Sequence, residues 1–547
     1  MGTRDFVTQA LSGAAGSVRH DVDVLVIGGG PAGAWAAISA ATTGAKVLLA
    51  DKGYCGTSGA TAPSGTGLWH VSPDGDARAK AKESRYVMGG QLAEHAWMDR
   101  VLAQTWANVD KLTEWGYPFP VDEEGELRRT SLQGPEYMRL MRKQVKSAGA
   151  RIIDHSPALE LLVDEHGTVC GATGVNRQTG DTWVAHAGAV VMATGGCAFL
   201  SRALGCNVLT GDGHLMAAEV GAELSGMEFS NAYGLGPAFS SVTKSLFYNW
   251  ATFYYRDGSP IEGAGSSRGR SVIAKTLQTQ PVFACLDRAD DSIKGWMRTA
   301  QPNFFVSFDR QGINPFTQHF PVTLRLEGTV RGTGGLHVVS EDCATSVPGL
   351  YAAGDAATRE LICGGFTGGG SHNAAWALSS GFWAGAGAAA FGRHARSSAT
   401  RIALRAGGVV LQGKGTHAPD TAEIIRAVQA EVFPYERNWY RRGEVLEDSL
   451  QRLDALWDRL RSGAPAANPQ EAVRAREAAA MLATSRWMYR SALQRTETRG
   501  MHRRKEHTAV DPLQQHRLVS GGLDEVWVRK QAVNTSPAPQ VFKEVTA

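Results

Sequence analysis

The alternation of apolar and polar residues near the N-terminus predicts a strand–helix–strand unit. VDVLVI (22–27) and AKVLLA (45–50) are apolar runs with the length of buried strands. Between them, AWAAISAATTG (34–44) consists mostly of small residues and predicts a helix that packs closely against both strands. Two buried strands joined by a helix form a βαβ unit, in which the strands run parallel.

The pattern changes twice further along the chain. AGAVVMATGG (187–196) and LYAAGD (350–355) again predict buried strands that end in turns. Residues 230–335 between them are richer in aromatic and polar residues and show poor periodicity, which indicates an inserted domain. After residue 396, segments such as VLEDSLQRLDALWDRLRS (445–462) space apolar residues three and four apart and predict helices.

We therefore predict an α/β fold with a Rossmann-like dinucleotide-binding domain interrupted by an α+β capping domain that holds the substrate. A helical C-terminal domain follows. The predicted segments are a leader at 1–20, the dinucleotide-binding domain at 21–229 and 336–395, the capping domain at 230–335, and the helical domain with its tail at 396–547.

Charge, cysteine spacing and apolar content argue against several classes of function. The 547 residues carry a formal net charge of +3, which gives no argument for nucleic acid or an anionic membrane as the main partner. The basic stretch RGMHRRKEH (499–507) is interpreted as a solvated face. The 7 cysteines form no C-x-x-C pair, so we expect reduced thiols and neither an iron–sulfur cluster nor a zinc site. The longest apolar candidate, 377–391, is too short for a membrane span, and its many Gly and Ala residues predict a tightly packed internal helix. We expect a cytoplasmic protein.

The chemistry is concentrated in the turn after the first strand. Gly28, Gly30 and Gly33 stand in G-x-G-x-x-G register, which lets the backbone turn tightly and approach a pyrophosphate at a helix N-terminus. Asp51 ends the second strand, where it accepts hydrogen bonds from ribose hydroxyls. The polar loop GTSGATAPSGTG (56–67) follows and is suited to laying backbone N–H groups along a ligand.

Several motifs together resemble the flavoprotein family of succinate dehydrogenase, fumarate reductase, L-aspartate oxidase and the adenylylsulfate reductase alpha subunit. The motifs that carry the resemblance are the glycine turn, DKGYCGTSGAT (51–61), ATGG (193–196), TGDGHLMAAEVGAELSGMEF (210–229), TGGLHV (333–338), GLYAAGD (349–355) and SALQRTETRGMHRR (491–504).

The resemblance implies FAD as the cofactor. Asp355 would contact the ribitol, and a helix beginning near Asn373 would point its N-terminus at the flavin pyrimidine. The segment 210–229 begins with a Thr-Gly-Asp-Gly turn and continues as a predicted helix. Asp212 in this turn would fix the nucleotide half, or it is simply a helix N-cap. The implied FAD-binding residues are Gly28, Gly30, Pro31, Ala32, Gly33, Asp51, Lys52, Ser58, Gly59, Thr61, Ala193, Thr194, Gly195, Asp212, Gly354, Asp355, Asn373 and Ala374.

The sequence departs from the family at its reactive positions. Members that attach FAD covalently use a histidine in S-H-T, and residues 58–61 contain none, so we expect non-covalent FAD. By the same resemblance, the C4-dicarboxylate enzymes clamp their substrate with two histidines and two arginines. Tyr233 stands in place of one histidine, and Arg331 stands near the place of the other. No R-G-E-G-G motif, which carries one arginine, occurs near 240–256, and the other arginine is missing from GGFTGGGSHN (364–373). These losses argue against succinate or fumarate.

The loop around His372 is closer to the adenylylsulfate reductase alpha pattern. His372 is a candidate acid or base beside the flavin, or it is hydrogen-bonded to backbone in a glycine loop. Arg331 is an anion clamp or a surface ion pair, and Tyr233 donates a proton or simply packs. Arg268 and Arg270 are weaker candidates, because loop arginines are usually solvated.

These observations predict an FAD-dependent oxidoreductase that moves two electrons between flavin and a small polar or anionic organic substrate. The resemblance adds a separate ferredoxin-type iron–sulfur subunit as electron partner. An oxidase that uses oxygen, and a non-catalytic flavin-binding redox subunit, remain open as alternatives.

Overall fold

The computed structural model describes residues 17–121, 125–243, 245–266, 269–367, 370–397, 402–412 and 415–533. Its strands are β1 Val18–Ile27, β2 Val47–Ala50, β3 Gly65–Gly67, β4 Ser131–Gln133, β5 Arg151–Ile153, β6 Ala158–Val163, β7 Val169–Val175, β8 Thr182–Met192, β9 Leu224–Ser225, β10 Ala232–Pro237, β11 Thr252–Tyr254, β12 Val282–Cys285, β13 Phe320–Glu327, β14 Gly335–Leu336, β15 Leu350–Ala352, β16 Leu404–Arg405, β17 His516–Gly521 and β18 Trp527–Ala532.

The helices connect and cover these strands. They are α1 Pro31–Thr42, α2 Gly75–Met88, α3 His95–Glu114, α4 Gly134–Ser147, α5 Asp212–Glu219, α6 Gly269–Leu277, α7 Asp291–Ala300, α8 Pro302–Gln311, α9 Gly328–Arg331, α10 Glu360–Cys363, α11 Ser371–Ser397, α12 Thr421–Val432, α13 Tyr435–Asn438, α14 Gly443–Arg461 and α15 Pro469–Gln494.

The largest sheet contains the predicted βαβ unit. Its strand order is β16-β6-β7-β8-β1-β2-β5, with β15 added to β8. Strands β1, β2, β5, β8 and β15 pair in parallel, whereas β6, β7 and β16 pair antiparallel. Because parallel strands present their carboxyl ends at one edge, the turns after β1, β2, β8 and β15 meet there.

Helix α11 confirms the packed internal helix predicted over 377–391. A Cβ atom at Gly381 would lie 2.3 Å from the carbonyl oxygen of Ala32, and one at Gly385 would lie 2.2 Å from that of Ala36. Only glycine at these positions lets α11 lie directly against α1. The Gly- and Ala-rich composition therefore reflects close packing between two helices.

The helix predicted over 210–229 is shorter than expected. Helix α5 ends at Glu219, and Gly221 turns the chain with a φ of 95°. Leu224 and Ser225 then form β9, in a second sheet with the order β14-β9-β17-β18. The sequence pattern missed this break because apolar residues continue at helical spacing across it.

Residues 232–327 build a sheet of their own, ordered β10-β13-β12-β11 and paired antiparallel throughout. Helices α6, α7 and α8 accompany it. An aromatic cluster fills its interior, with Phe304 and Phe308 at 5.1 Å between ring centroids and Phe308 and Phe320 at 4.7 Å. This region supplies one wall of the cavity described below.

The C-terminal part is helical, as predicted, and ends in the β17–β18 hairpin. Its basic stretch is only partly solvated: Arg499 is 2% exposed and His502 is fully buried, whereas Lys505, Glu506 and His507 are exposed. Arg495 pairs with Glu228 at 2.8 Å and with Glu497 at 2.8 Å, which places these charges inside the molecule. No helix in the described part of the chain has the length and apolar character needed to cross a bilayer.

Candidate active site

The glycine turn after β1 serves two different purposes. A Cβ at Gly28 would lie 2.2 Å from the carbonyl oxygen of Ala193, and one at Gly33 would lie 1.8 Å from that of Gly28. Gly28 also adopts a φ of 108°, where a side chain is strained. These two glycines are therefore required by the packing of β1 against α1 and the end of β8.

Gly30 is different, because a Cβ there would meet no protein atom within 4 Å. It is the N-cap of α1, at an ordinary φ of −72°, and no side chain caps this helix. Gly30, Pro31 and Ala32 line a large cavity. The free space above Gly30 and the uncapped helix N-terminus together form an anion-binding cradle.

Asp51 is held in place at the end of β2. One of its carboxylate oxygens accepts from the backbone N–H of Gly29 at 2.6 Å, and the other accepts from Gly53 N–H and the Ser58 hydroxyl, both at 2.7 Å. A carboxylate has about four acceptor positions. Asp51 thus keeps acceptor capacity toward the cavity that it lines.

Lys52 and Asp212 are joined by an ion pair at the same edge of the sheet. The Lys52 ammonium lies 2.6 Å from Asp212 and 2.7 Å from Glu477 of α15. Burial lowers the pKa of Lys52, but the two carboxylates outweigh it and the pKa is raised. The N-cap of α5 is Gly211, so the capping alternative for Asp212 does not hold.

The loop 56–67 and the N-terminal end of α11 meet beside the cavity, where the Thr66 hydroxyl donates to the carbonyl oxygen of Gly370 at 3.4 Å. Ser58, Gly59, Thr61 and the β3 residues line the cavity. Gly370, Ser371, Asn373 and Ala374 line it as well. The Asn373 side-chain oxygen is buried without a hydrogen-bond partner, so this polar atom is available to a ligand.

Asp355 follows β15 and also lines the cavity. Its carboxylate accepts from Arg359 at 2.6 Å. Arg359 in turn donates to the carbonyl oxygens of Thr329 and Val330. One buried guanidinium therefore connects the turn after β15 with helix α9, which carries Arg331.

The cavity has a volume of about 650 Å³ and brings together most of the residues that the sequence analysis selected. Gly33 is the exception among the cofactor candidates, because it packs against Gly28 instead. The selected residues in the lining are Gly28, Gly30, Pro31, Ala32, Asp51, Lys52, Ser58, Gly59, Thr61, Ala193, Thr194, Gly195, Asp212, Arg331, Gly354, Asp355, Asn373 and Ala374.

Arg331 lies in the cavity wall at the end of α9. Its Nε atom is 3.2 Å from the carboxylate of Glu327, which is fully buried. Thr243 donates a short hydrogen bond to the same carboxylate. Arg331 is 8% exposed, so it forms a buried ion pair and not a surface one.

Arg270 is a cavity residue as well, at the start of α6. Its side chain is exposed to the empty space of the cavity and has no hydrogen bond or ion pair with any described residue. Because protein surrounds the cavity, the guanidinium is still largely shielded from bulk water. This shielding, and secondly the positive charge of Arg331, lowers the pKa of Arg270 to about 10. Arg270 is still a cation at neutral pH, and it lacks a counter-charge of its own. Arg268 lies outside the described residues.

His372 and Tyr233 do not line this cavity. The His372 ring packs against Trp69 at 4.4 Å between centroids, and its Nδ1 is 3.1 Å from the Ser371 hydroxyl. The Tyr233 hydroxyl donates to the carbonyl oxygens of Val432 and Phe433 in the C-terminal part. Burial raises the pKa of Tyr233 well above its usual value. This geometry gives Tyr233 a packing role.

Arg270 is a stronger candidate than its loop sequence predicts, and the apolar residues Leu246, Phe247 and Trp296, which line the same cavity, were not predicted. No local signal separates them from ordinary loop and helix residues. They become part of the site because the β10–β13 region folds over the edge of the main sheet.

Family models match two parts of the chain. The FAD binding domain model matches residues 23–232, and the fumarate reductase flavoprotein C-terminal model matches residues 433–543. The chain therefore carries both an FAD binding domain and the C-terminal domain of fumarate reductase flavoproteins.

The curated relatives of this flavoprotein are distant enzymes. The chain is 26% identical over 374 residues to an L-aspartate oxidase of Streptomyces coelicolor. The match covers 61% of this chain and 63% of the oxidase, which is just under two thirds of the oxidase. The chain is 25% identical over 550 residues to a fumarate reductase flavoprotein subunit of Mycobacterium tuberculosis, covering 88% and 92%. A urocanate reductase of Eggerthella lenta is 28% identical over 279 residues, or 44% of each chain.

Solved structures agree on the fold of this flavoprotein. A mutant of the E. coli quinol fumarate reductase matches with a TM-score of 0.81 and 20% identity, over 95% of this chain and 98% of that one. Adenylylsulfate reductase from Archaeoglobus fulgidus matches with a TM-score of 0.74 and 18% identity, over 97% and 98%. The predicted α/β fold is confirmed.

FAD is the cofactor of this flavoprotein, and the described residues fit it. The open cradle at Gly30 suits a diphosphate, Asp51 suits ribose hydroxyls, and the unpartnered Asn373 oxygen suits a donor on the flavin ring. The N-terminus of α11 adds a dipole that stabilises negative charge on that ring. This flavoprotein is an FAD-dependent oxidoreductase.

Proposed function

We propose that this flavoprotein transfers two electrons between FAD and a small organic anion other than succinate or fumarate, and exchanges them with a separate iron–sulfur protein. Arg270 carries the proposal. It is a cavity-facing guanidinium that forms no ion pair with a described residue, and it lies beside the space that fits the flavin. Bound FAD supplies two-electron chemistry at its ring.

Electrostatics favours an anionic substrate at this end of the cavity. Arg331 forms an ion pair with Glu327, whereas Arg270 feels the charge of Glu327 only at longer range and forms no ion pair with a described residue. An anion that contacts Arg270 removes the repulsion between the two guanidinium groups and forms charge-assisted hydrogen bonds.

The lining argues against the usual C4-dicarboxylates. No histidine is among the described residues that line the cavity, and Tyr233 is directed into a protein contact. A clamp that uses two histidines and two arginines is therefore incomplete. The family includes reductases of other substrates, such as the urocanate reductase that this chain resembles over part of its length.

Two observations support an external electron partner. The cysteines of the described chain are all free and buried, and no two of them stand in C-x-x-C spacing. The Mycobacterium tuberculosis fumarate reductase relative is named as a flavoprotein subunit, and a relative from Methanothermobacter marburgensis is likewise named as one subunit of a fumarate reductase. The L-aspartate oxidase relatives favour oxygen as the second candidate acceptor.

The test starts from the FAD-loaded protein. Organic anions are screened for oxidation or reduction of the flavin under anaerobic conditions, and the reduced protein is then exposed to oxygen or to an oxidised ferredoxin. We expect turnover with an anion, slow reaction with oxygen and fast reaction with ferredoxin. Rapid stoichiometric peroxide formation would establish the oxidase instead.

Arg270→Gln provides the internal check. We expect it to reduce kcat/KM for the active anion by about a hundredfold or more, while FAD content is retained. Arg298→Gln, on the exposed side of α7, is the matched control. If no anion changes the flavin spectrum, or if Arg270→Gln behaves like the control, the proposed function is wrong.

A further inference from the structure

We propose that the substrate is an amphipathic anion, with one anionic group on Arg270 and Arg331 and an aryl or alkyl body against Leu246, Phe247 and Trp296. This inference rests on the proposed function, because it names the substrate class of the same site. It goes beyond charge complementarity by using the apolar part of the same cavity wall.

The apolar part is built from side chains that are open to the cavity. Leu246 is 71% exposed and Trp296 is 44% exposed, although both are large and apolar, and both line the cavity. Single exposed apolar residues are common on protein surfaces. Here the two converge with Phe247 on one ligand cavity that also contains cations, which is the usual composition of a small-molecule site.

The Trp296 ring is held in position by a supporting aromatic cluster. It lies 5.7 Å from the Phe247 ring and 5.9 Å from the Trp250 ring, measured between centroids. Phe247 is itself buried and packs edge-on against Phe304 at 5.2 Å. The indole therefore presents a preformed apolar surface, which lowers the ordering cost of binding a flat or chain-like group.

The cationic and apolar parts belong to one continuous wall. Thr243 bonds to Glu327, which pairs with Arg331, and Leu246 and Phe247 follow only a few residues later in the chain. Arg270 is near enough to Arg331 for their charges to interact. A ligand bound to the arginines thus extends directly onto the apolar surface.

This arrangement discriminates against short dicarboxylates. A second carboxylate directed toward Leu246 and Trp296 would lose its water without gaining a cation or a hydrogen-bond donor from them. An aryl or alkyl group at the same place removes apolar surface from water on both sides. Specificity then comes as much from rejecting the dianion as from accepting the apolar group.

The experiment measures ligand binding to the FAD-loaded protein through changes in flavin absorbance. The probes are phenylpropionate, hexanoate, propionate and succinate, at equal ionic strength. We expect phenylpropionate and hexanoate to bind about tenfold or more tightly than propionate and succinate. Equal or weaker binding of the two amphipathic probes overturns the inference.

Two variants test whether Leu246 and Trp296 cause the tighter binding of the amphipathic probes. Leu246→Ser and Trp296→Ala should each weaken binding of phenylpropionate about tenfold and leave binding of propionate unchanged. Because Leu246 is largely exposed, Leu246→Ser is expected to fold. It can therefore test the inference even if Trp296→Ala does not fold. Val306→Ala, at an exposed position of α8 outside this cavity, is the control.

The two proposals fail in different ways. Arg331→Gln should weaken all four probes, and a lack of any spectral response to any probe contradicts the proposed function itself. If the probes respond to Arg331→Gln but phenylpropionate does not respond to Leu246→Ser or Trp296→Ala, the anion site stands and the amphipathic substrate class is wrong.

Discussion

The Lys52 ammonium lies 2.7 Å from the carboxylate of Glu477, which joins the residue after β2 to the C-terminal helix α15. Lys52 lines the flavin cavity, and Asp212 is its other partner. The C-terminal part therefore supports the FAD site through a buried charge, although Glu477 itself is not among the lining residues.

We predict that Glu477→Gln weakens FAD binding. Lys52 keeps Asp212 but loses one of two carboxylates in a buried site, which costs about 1–3 kcal/mol. The dissociation constant for FAD should rise about tenfold or more, measured by fluorescence titration of the apoprotein. Glu447→Gln, on the exposed face of α14, should leave it unchanged. Unaltered FAD affinity in Glu477→Gln would mean that Asp212 alone holds Lys52.

The glycine turn gives a prediction that separates folding from cofactor binding. Gly30→Ala meets no protein atom, so the apoprotein should melt like the wild type while FAD affinity falls about tenfold or more. Gly33→Ala places a Cβ 1.8 Å from the Gly28 carbonyl oxygen and should destabilise the apoprotein by about 3 kcal/mol or more.

The two glycine variants are compared by calorimetry of the apoproteins and by flavin titration. The result that contradicts the assignment is a Gly30→Ala apoprotein as unstable as Gly33→Ala, or a Gly30→Ala protein with normal FAD affinity. Gly408→Ala is a matched control, because a Cβ there also meets no protein atom within 4 Å and Gly408 does not line the cavity.

We predict that the flavin is released on denaturation. The segment 58–61 carries no histidine, and no histidine or cysteine is among the described residues that line the cavity. Acid precipitation should therefore leave FAD in the supernatant and a colourless pellet, which absorbance spectroscopy of both fractions checks. Yellow colour retained on the washed polypeptide would establish a covalent bond.

The buried pair Glu360 and Glu228 predicts a pH dependence of stability. Burial, followed by the charge of Glu228, raises the pKa of Glu360 from 4.5 to about 7. The folded state therefore binds a proton that the unfolded state releases above about pH 4.5. The stabilisation from this proton is present at low pH and is lost as the pH rises toward 7.

The variant Glu360→Gln tests whether this residue makes the protein less stable as the pH rises. A single proton contributes a slope of about 1.4 kcal/mol per pH unit, so the variant should lose less stability than the wild type between about pH 5 and pH 8. Denaturant unfolding at a series of pH values measures it. The glutamine oxygen still accepts from Ser225, which donates to Glu360 in the wild type. Parallel pH profiles for the two proteins would show that Glu360 titrates normally.

The sequence by itself determined the features that depend on short stretches of chain. The βαβ unit, the glycine turn, Asp51 and the uncapped helix N-terminus follow from local periodicity and from the conformations open to glycine, and the structure confirms the fold built on them. The helix predicted over 210–229 is longer than the observed α5, because the spacing of apolar residues does not reveal the turn at Gly221.

Only the tertiary structure decided which distant side chains share the cavity. Arg270 looked like a solvated loop residue and Tyr233 like a reactive one, yet Arg270 faces the cavity and Tyr233 packs against the C-terminal part. Leu246, Trp296 and Glu477 carry no motif at all. Their roles arise from the way separate segments fold over one edge of the main sheet, because charge and apolar contact act through space and not along the chain.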